Sequence, residues 1–393
     1  MSERALVLID GEHYAPVVRD ALEALPYDVV GALLVGGTEK LRGDDDYGVL
    51  LVDALDAVEA DLVVDLSDEP VLGPRERMLW ASRSLALGLP YLGADFRFDP
   101  PPLEPVGTPS LAVIGLGKRV GKTAVAGHVA RVLARDRKVV VVAMGRGGPA
   151  EPELVEAPPT LDDLLALSRS GRHAASDHLE AAALAGVPAV GCRRAGGGLA
   201  GAPFRSNVLE GAQLAAQLEP ELLVFDGSGA AVPPVDTDAR ILVANGGHDP
   251  RAGLNAYRVL ISDLVVDTGG ADREAIRSIS DAPVVAAKLR LRPAEPLGGR
   301  RTAVFTTGSA PTDELDAEIV HVSQNLARRA ALQEELEQVD AEVYLVELKA
   351  AAIDVVAEAA LARGAEVVLA ANDVVSDELD AWVLTLAKQA VRA

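Results

Sequence analysis

Residues 110–134, SLAVIGLGKRVGKTAVAGHVARVLA, constrain this chain more than any other stretch. A short apolar run that fits a buried strand passes into a glycine-rich loop, and an amphipathic helix follows at once. Lys122 and Thr123 come directly after Gly121, where the helix begins. The backbone N–H groups of such a loop, together with the helix N-terminus, surround a polyphosphate. The lysine neutralises its terminal oxygens and the threonine hydroxyl suits Mg²⁺. A strict G-x-x-x-x-G-K-[ST] needs glycine at 116, which is leucine here. Glycines stand instead at 115 and 117, so the spacing is Gly115-x₅-Gly121-Lys122-Thr123. Glycine turns precede helices in many α/β proteins, but GKT in register with both strand and helix specifies nucleotide binding.

A strand–loop–helix unit of this kind needs a parallel sheet around it, and the chain supplies one. Strand candidates at 110–114, 138–143, 187–191, 221–225, 240–244, 263–267 and 283–286 alternate with helical segments. Their continuous apolar character predicts a sheet covered on both faces. Before them, short strand runs at 4–9, 29–35, 49–52 and 61–65 alternate with helical stretches such as 15–24. The segment DPPPLEPVGTP, 99–109, has five prolines in eleven positions and reads as a semi-rigid linker. After about 300, TAVFTT, EVYLVEL and EVVLAA surround a helical stretch at 350–363. The expected fold is therefore α/β, with a P-loop NTPase-like, mostly parallel core flanked by smaller α/β domains. Its expected parts are an N-terminal domain 1–98, the linker 99–109, an ATP-binding core 110–299 and a C-terminal domain 300–393.

Charge frames the functional question. The 393 residues carry 59 acidic and 37 basic side chains, a formal net charge of −22. That balance argues against nucleic acid and anionic membrane as partners, since both need basic surface. No apolar run reaches the ~18 uncharged residues of a membrane span. The start, MSERALVLIDGEHY, lacks the basic and long apolar regions of a signal peptide. One cysteine, Cys192, allows neither an intrachain disulfide nor a cysteine metal cage, and a buried thiol is expected. These features together predict a reducing cytoplasm.

Cations at strand ends are the candidates for a second anion site. Arg146, flanked by glycines in VVVVAMGRGGP, stands at the carboxyl end of the strand after the loop helix, where α/β ligands bind. Lys118, Arg119, Arg193, Arg194, Arg205, Lys288, Arg290 and Arg292 occupy further loop or strand ends. Singly they read as solvated charges; together they suffice for a positive pocket. Residues 191–207, GCRRAGGGLAGAPFRSN, fit either a lid or a mobile surface loop. The six histidines form no metal-binding spacing, and no general base is evident. An oxyanion acceptor needs none, because phosphoryl transfer is then positioning and charge neutralisation.

The nine-residue loop GLGKRVGKT resembles that of dethiobiotin synthetase and its relatives, and LLVFDGSGAAVPP stands where that family has V-E-G-A-G-G at a strand end. The resemblance puts Asp226 where an acidic residue holds Mg²⁺. GTPSLAVIGLGKRVGKTAV, VVAMGRGGP, FRSNVLEGAQLA, LLVFDGSGAAVPPV, the early LIDGEHYAPV and the late YLVELKAAAIDVV together resemble the cyclic 2,3-diphosphoglycerate synthetase family over nearly the whole chain.

The resemblance implies ATP-dependent closure of 2,3-diphosphoglycerate into a cyclic phosphoanhydride with release of ADP and phosphate. ATP and Mg²⁺ are the implied cofactors, 2,3-diphosphoglycerate the small-molecule partner, and a homodimer the family expectation. Gly115, Gly117 and Gly121 then cradle the triphosphate, Lys122 stabilises its β/γ oxygens, and Thr123 and Asp226 hold the metal. Lys118, Arg146 and Arg205 grip the substrate, with Glu12, His13 and Lys349 added because the resembling segments contain them. Two other readings use the same loop. One is a kinase forming 2,3-diphosphoglycerate from 2-phosphoglycerate. The other is a nucleotide-switched ATPase, although members of that class often carry a second lysine where this chain has Gly117.

Overall fold

The computed structural model describes residues 2–36, 46–69, 71–308 and 311–392. These divide into two compact units. The first comprises residues up to 102 with 249–261 and 272–282; the second comprises 103–248, 262–271 and 283 onward.

In the first unit a six-stranded sheet has the order Leu51–Val52, Asp28–Leu34, Arg4–Ile9, Leu62–Asp65, Tyr91–Leu92, Arg97–Phe98. All neighbouring pairs are parallel except the last. The helices Ala15–Ala24 and Pro74–Ala86 each begin with a proline in the first turn, where no N–H is required. Ala5, Val7 and Ile9 pack with Val18 and Leu22 in one apolar layer.

The second unit holds a nine-stranded sheet with a long parallel run. In spatial order this run is Ala189–Ala195, Val139–Gly145, Leu222–Asp226, Ser110–Gly115, Ala239–Ala244, Leu264–Asp267 and Val284–Ala286. Alternate residues of these strands serve opposite faces. Leu111, Val113, Val141, Val224 and Ile241 pack under the helices Lys122–Leu133 and Leu379–Ala390. On the opposite face the helix Val208–Ala216 presses Gly211 against Cys192, Val142 and Val190, so closely that a Cβ there would lie 2.1 Å from the Cys192 sulfur. The thiol is buried as expected, and burial pushes it up to about 12.

A five-stranded sheet in the same unit has the order Lys288–Pro293, Glu366–Val375, Val343–Glu347, Arg301–Phe305, Glu318–Ser323. It thus begins at Lys288, before the sequence boundary at 300. Its long strand Glu366–Val375 is antiparallel to Lys288–Pro293 and parallel to Val343–Glu347. Val374 and the C-terminal helix join the core of the nucleotide-loop sheet. Within the proline-rich segment Glu104–Pro105 makes a short parallel pair with Val235–Asp236. Residues 191–207 are less loop-like than their glycines suggest, because Ala189–Ala195 is strand and Arg205–Ser206 pairs back on Arg194–Ala195.

Candidate active site

The phosphate loop runs from the end of Ser110–Gly115 to Gly121, which caps the helix Lys122–Leu133 with a left-handed φ of 81°. Arg119 also has positive φ, at 60°. Such a conformation in a non-glycine residue persists only where its surroundings impose it. Three side chains do so here. His248 donates to the Lys118 carbonyl at 2.9 Å, Asn245 to the Arg119 carbonyl at 3.1 Å, and Thr268 to the Val120 carbonyl at 2.8 Å. Planar trans peptides then turn the N–H groups of residues 119–121 the opposite way. Loop residues 117–123 line the neighbouring cavity and the three braces do not.

The glycines are required by close approach. A Cβ on Gly115 would lie 2.8 Å from the Gly229 carbonyl oxygen, and one on Gly117 2.2 Å from the His248 ring. On Gly121 it would meet Leu289 at 2.7 Å. Gly117 therefore makes room for the brace behind the loop.

Leu222–Asp226 lies directly between the strands carrying the loop and Arg146, so Arg146 stands on the next strand but one. This topology aims Asp226 at the loop, where it accepts a hydrogen bond from the buried Lys122 ammonium. Burial pushes the Asp226 carboxyl up from its ordinary range, against the pull of Lys122. The Thr123 hydroxyl and the Asp226 carboxylate are hard oxygen donors of the type Mg²⁺ takes, with phosphate and water completing its shell. Among the described residues no cluster of three His, Cys, Asp or Glu offers an all-protein cage.

A cavity of about 540 Å³ within the second unit opens over the loop. Its lining carries Lys118, Arg119, Lys122, Arg146 and Lys349 against Asp177 and Glu347, five cations to two carboxylates in a chain of net charge −22. The far wall comes from the C-terminal sheet. Glu347 accepts from the Thr307 N–H at 2.7 Å, the Thr307 hydroxyl at 3.1 Å and the Asn372 amide. Lys349 lies 3.4 Å from Glu180, a buried acid on the helix Asp177–Glu180. Burial lowers the tendency of Lys349 to hold its proton, but Glu180, Glu347 and Asp177 outweigh it and raise the ammonium above its ordinary range. One lysine cannot keep every nearby acid ionised, and burial pushes Glu180 up to about 7.

Sequence reading placed the other candidates unevenly. Gly115 packs beneath the loop, while Gly117, Lys118, Arg119, Gly121, Lys122, Thr123, Arg146 and Lys349 line the cavity. Arg205 is exposed on its short strand and does not line it. Arg194 instead props the turn after Asp226, donating to the Ser228 carbonyl at 2.9 Å. Arg290 and Arg292 line a different cavity, whereas Leu289, which precedes them on the strand, reaches the phosphate loop, as strand alternation requires. Glu12 and His13 belong to the first unit, where both backbone N–H groups bond to the buried Asp10 carboxylate at 3.0 and 3.2 Å. Asp177, Glu180, Thr307, Glu347, Asn372 and the three loop braces are functional residues without a sequence signal. They carry no local motif and converge only through topology.

Three family models match consecutive parts of the chain. They are the cyclic 2,3-diphosphoglycerate synthetase N-terminal domain over residues 4–51 and 45–99, its P-loop domain over 110–282, and its C-terminal domain over 301–373. The cyclic 2,3-diphosphoglycerate synthetase of Rubrobacter xylanophilus is 48% identical, with 99% of this chain and 98% of the relative covered. That of Thermococcus kodakarensis is 41% identical over 98% of each chain, and that of Methanothermus fervidus 36% identical over 96% of this chain and 94% of its own. A solved structure of LpxK from Aquifex aeolicus aligns at 15% identity and a TM-score of 0.46, over 74% of this chain and 90% of that one. The described residues contain no helix long and apolar enough to cross a membrane. On the strength of those full-length relatives and three consecutive models, the chain belongs to the cyclic 2,3-diphosphoglycerate synthetase family, a ligase-type family with a nucleotide-binding P-loop domain.

Proposed function

We propose that this chain uses ATP to close 2,3-diphosphoglycerate into its cyclic phosphoanhydride, releasing ADP and phosphate. The observation that carries the reading is the cavity with two cationic walls, Lys118, Lys122 and Arg146 on one side and Lys349 on the other. A triphosphate and a substrate bearing two phosphates repel one another strongly in a low-dielectric pocket, so cations must approach from both directions.

In this mechanism the loop amides and Lys122 bind the β/γ-phosphates, and Lys122 exchanges its Asp226 partner for phosphate oxygens. Asp226, released from Lys122, and Thr123 hold Mg²⁺, which supplies charge neutralisation when bound. Arg146, Lys118 and Lys349 orient the substrate. One substrate phosphate oxygen attacks the γ-phosphorus; a P–O–P bond forms and the bond to ADP breaks. The second substrate phosphate then attacks the substrate phosphorus of that linkage. The ring anhydride forms and inorganic phosphate leaves with the bridging oxygen. Neither nucleophile carries a proton that must be removed, so the residues supply placement and charge.

A second reading has one supporting observation. Asp177 and Glu347 line the cavity, so carboxylates are available to take a proton from a hydroxyl acceptor, as a kinase acting on 2-phosphoglycerate requires. Incubation with ATP, Mg²⁺ and either substrate separates the two. Ring closure consumes 2,3-diphosphoglycerate and leaves 2-phosphoglycerate untouched; accumulation of 2,3-diphosphoglycerate from 2-phosphoglycerate instead establishes the kinase.

A further inference from the structure

A second cavity of the same unit, about 510 Å³, lies against the later turns of the helix that begins at Lys122. Among the described residues His128, Arg131, Arg135, Arg290 and Arg292 line it with one carboxylate, Asp373. Asp373 is shared, lying 3.2 Å from Arg131 and 2.9 Å from Arg292. Outside the lining, Asp380 holds His128 at 2.7 Å and Arg135 at 3.1 Å, and Glu314 holds Arg290 at 3.1 Å. A guanidinium has five N–H donors, and Arg131 meets the shared carboxylate through one terminal nitrogen. Burial lowers Arg131 from its usual range, and although Asp373 opposes this, Arg292 and Arg135 add repulsion. Each guanidinium thus has a carboxylate partner, yet four guanidiniums and His128 share three carboxylates around one volume, in a chain of net charge −22.

We propose that this cavity is a separate binding site for a small phosphate-type oxyanion, held by Arg131, Arg135, Arg290 and Arg292. Guanidiniums grip such an anion through paired N–H donors, and several converging on one volume favour a multivalent charge over chloride. The site stands on the same helix and strand that carry Lys122 and Leu289, but shares no lining residue with the active cavity. It does not depend on which substrate the active cavity takes.

Calorimetric titration of the full chain with inorganic phosphate tests it. The wild type should show two saturable sites, one lost in Arg146→Ala and the other weakened at least tenfold in Arg135→Ala/Arg290→Ala. The replaced side chains are 65% and 49% exposed, so that variant should melt within ~2 °C of the wild type without phosphate. Asp380→Asn frees His128 and Arg135 from their carboxylate and should tighten the second site three- to tenfold. This gain survives as a test if the double variant folds poorly, because loss of a merely structural ion pair gives no gain in phosphate affinity. A single phosphate site abolished by Arg146→Ala, or unchanged phosphate binding in Asp380→Asn, overturns the proposal.

Discussion

Gly117→Ala offers the sharpest test of how the phosphate loop is held. The added Cβ would lie 2.2–2.4 Å from three atoms of the His248 ring, so the ring must leave the Lys118 carbonyl it now holds at 2.9 Å. A hydrogen bond of this kind contributes about 0.5–1.5 kcal/mol net, and overpacking typically costs about 1–3 kcal/mol. His248→Ala should therefore weaken ATP binding about three- to tenfold. Gly117→Ala should weaken it about five- to hundredfold, since each 1.4 kcal/mol is a factor of ten. The decisive comparison is the double variant, with ATP dissociation constants measured by calorimetry. If the methyl acts by expelling His248, adding Gly117→Ala to His248→Ala should cost less than ~0.5 kcal/mol more. Fully additive penalties would refute the bracing argument and return Gly117 to a direct role at the phosphates.

Three further outcomes follow from the site. Arg146→Ala should lower turnover ~100-fold or more with an unchanged melting temperature, because the side chain is exposed; Lys122→Ala should lower both, because Asp226 loses its partner in a buried place. Near-normal turnover in either variant removes that residue from the mechanism. Burial raises Glu180 from 4.5 to about 7, so the folded chain holds a proton the unfolded chain has lost. This contribution is fully present below pH ~4.5 and is lost as pH rises through 7, up to ~3 kcal/mol in all. Denaturant titrations of Glu180→Gln should accordingly show a flatter decline between pH 5 and 7; an identical decline would exclude Glu180 as its source. With ¹⁸O in the non-bridging phosphate oxygens of 2,3-diphosphoglycerate, mass spectrometry of the released inorganic phosphate should find one heavy oxygen per molecule. Phosphate free of label would rule out attack by substrate oxygen on ATP.

What could be read from the sequence was what is local. Strand, glycines, lysine and helix of the phosphate loop are contiguous, and their spacing alone implied the loop geometry. Asp226 enters through the resemblance of LLVFDGSGAAVPP to the dethiobiotin synthetase pattern, at the end of an apolar run before glycines. Lys349 had no such signal, and its place across the cavity depends on strand Val343–Glu347 pairing with Glu366–Val375. His248, Asn245 and Thr268 arrive from loops more than a hundred residues after the carbonyls they hold. The arginines at 290 and 292 join the candidate cations as residues at a strand or loop end. Strand alternation divides them from Leu289, which alone of the three reaches the loop. Net charge alone is a poor guide to the cavity, where five cations face two carboxylates.

The central claim is that ATP drives ring closure in this cavity, and ³¹P NMR observes the bond concerned. In a mixture of the protein, ATP, Mg²⁺ and 2,3-diphosphoglycerate, the two phosphomonoester resonances should give way to a mutually coupled phosphoanhydride pair as ADP and inorganic phosphate accumulate. The same conversion should fail with Lys122→Ala. Monoester resonances that persist while ADP accumulates would contradict the account.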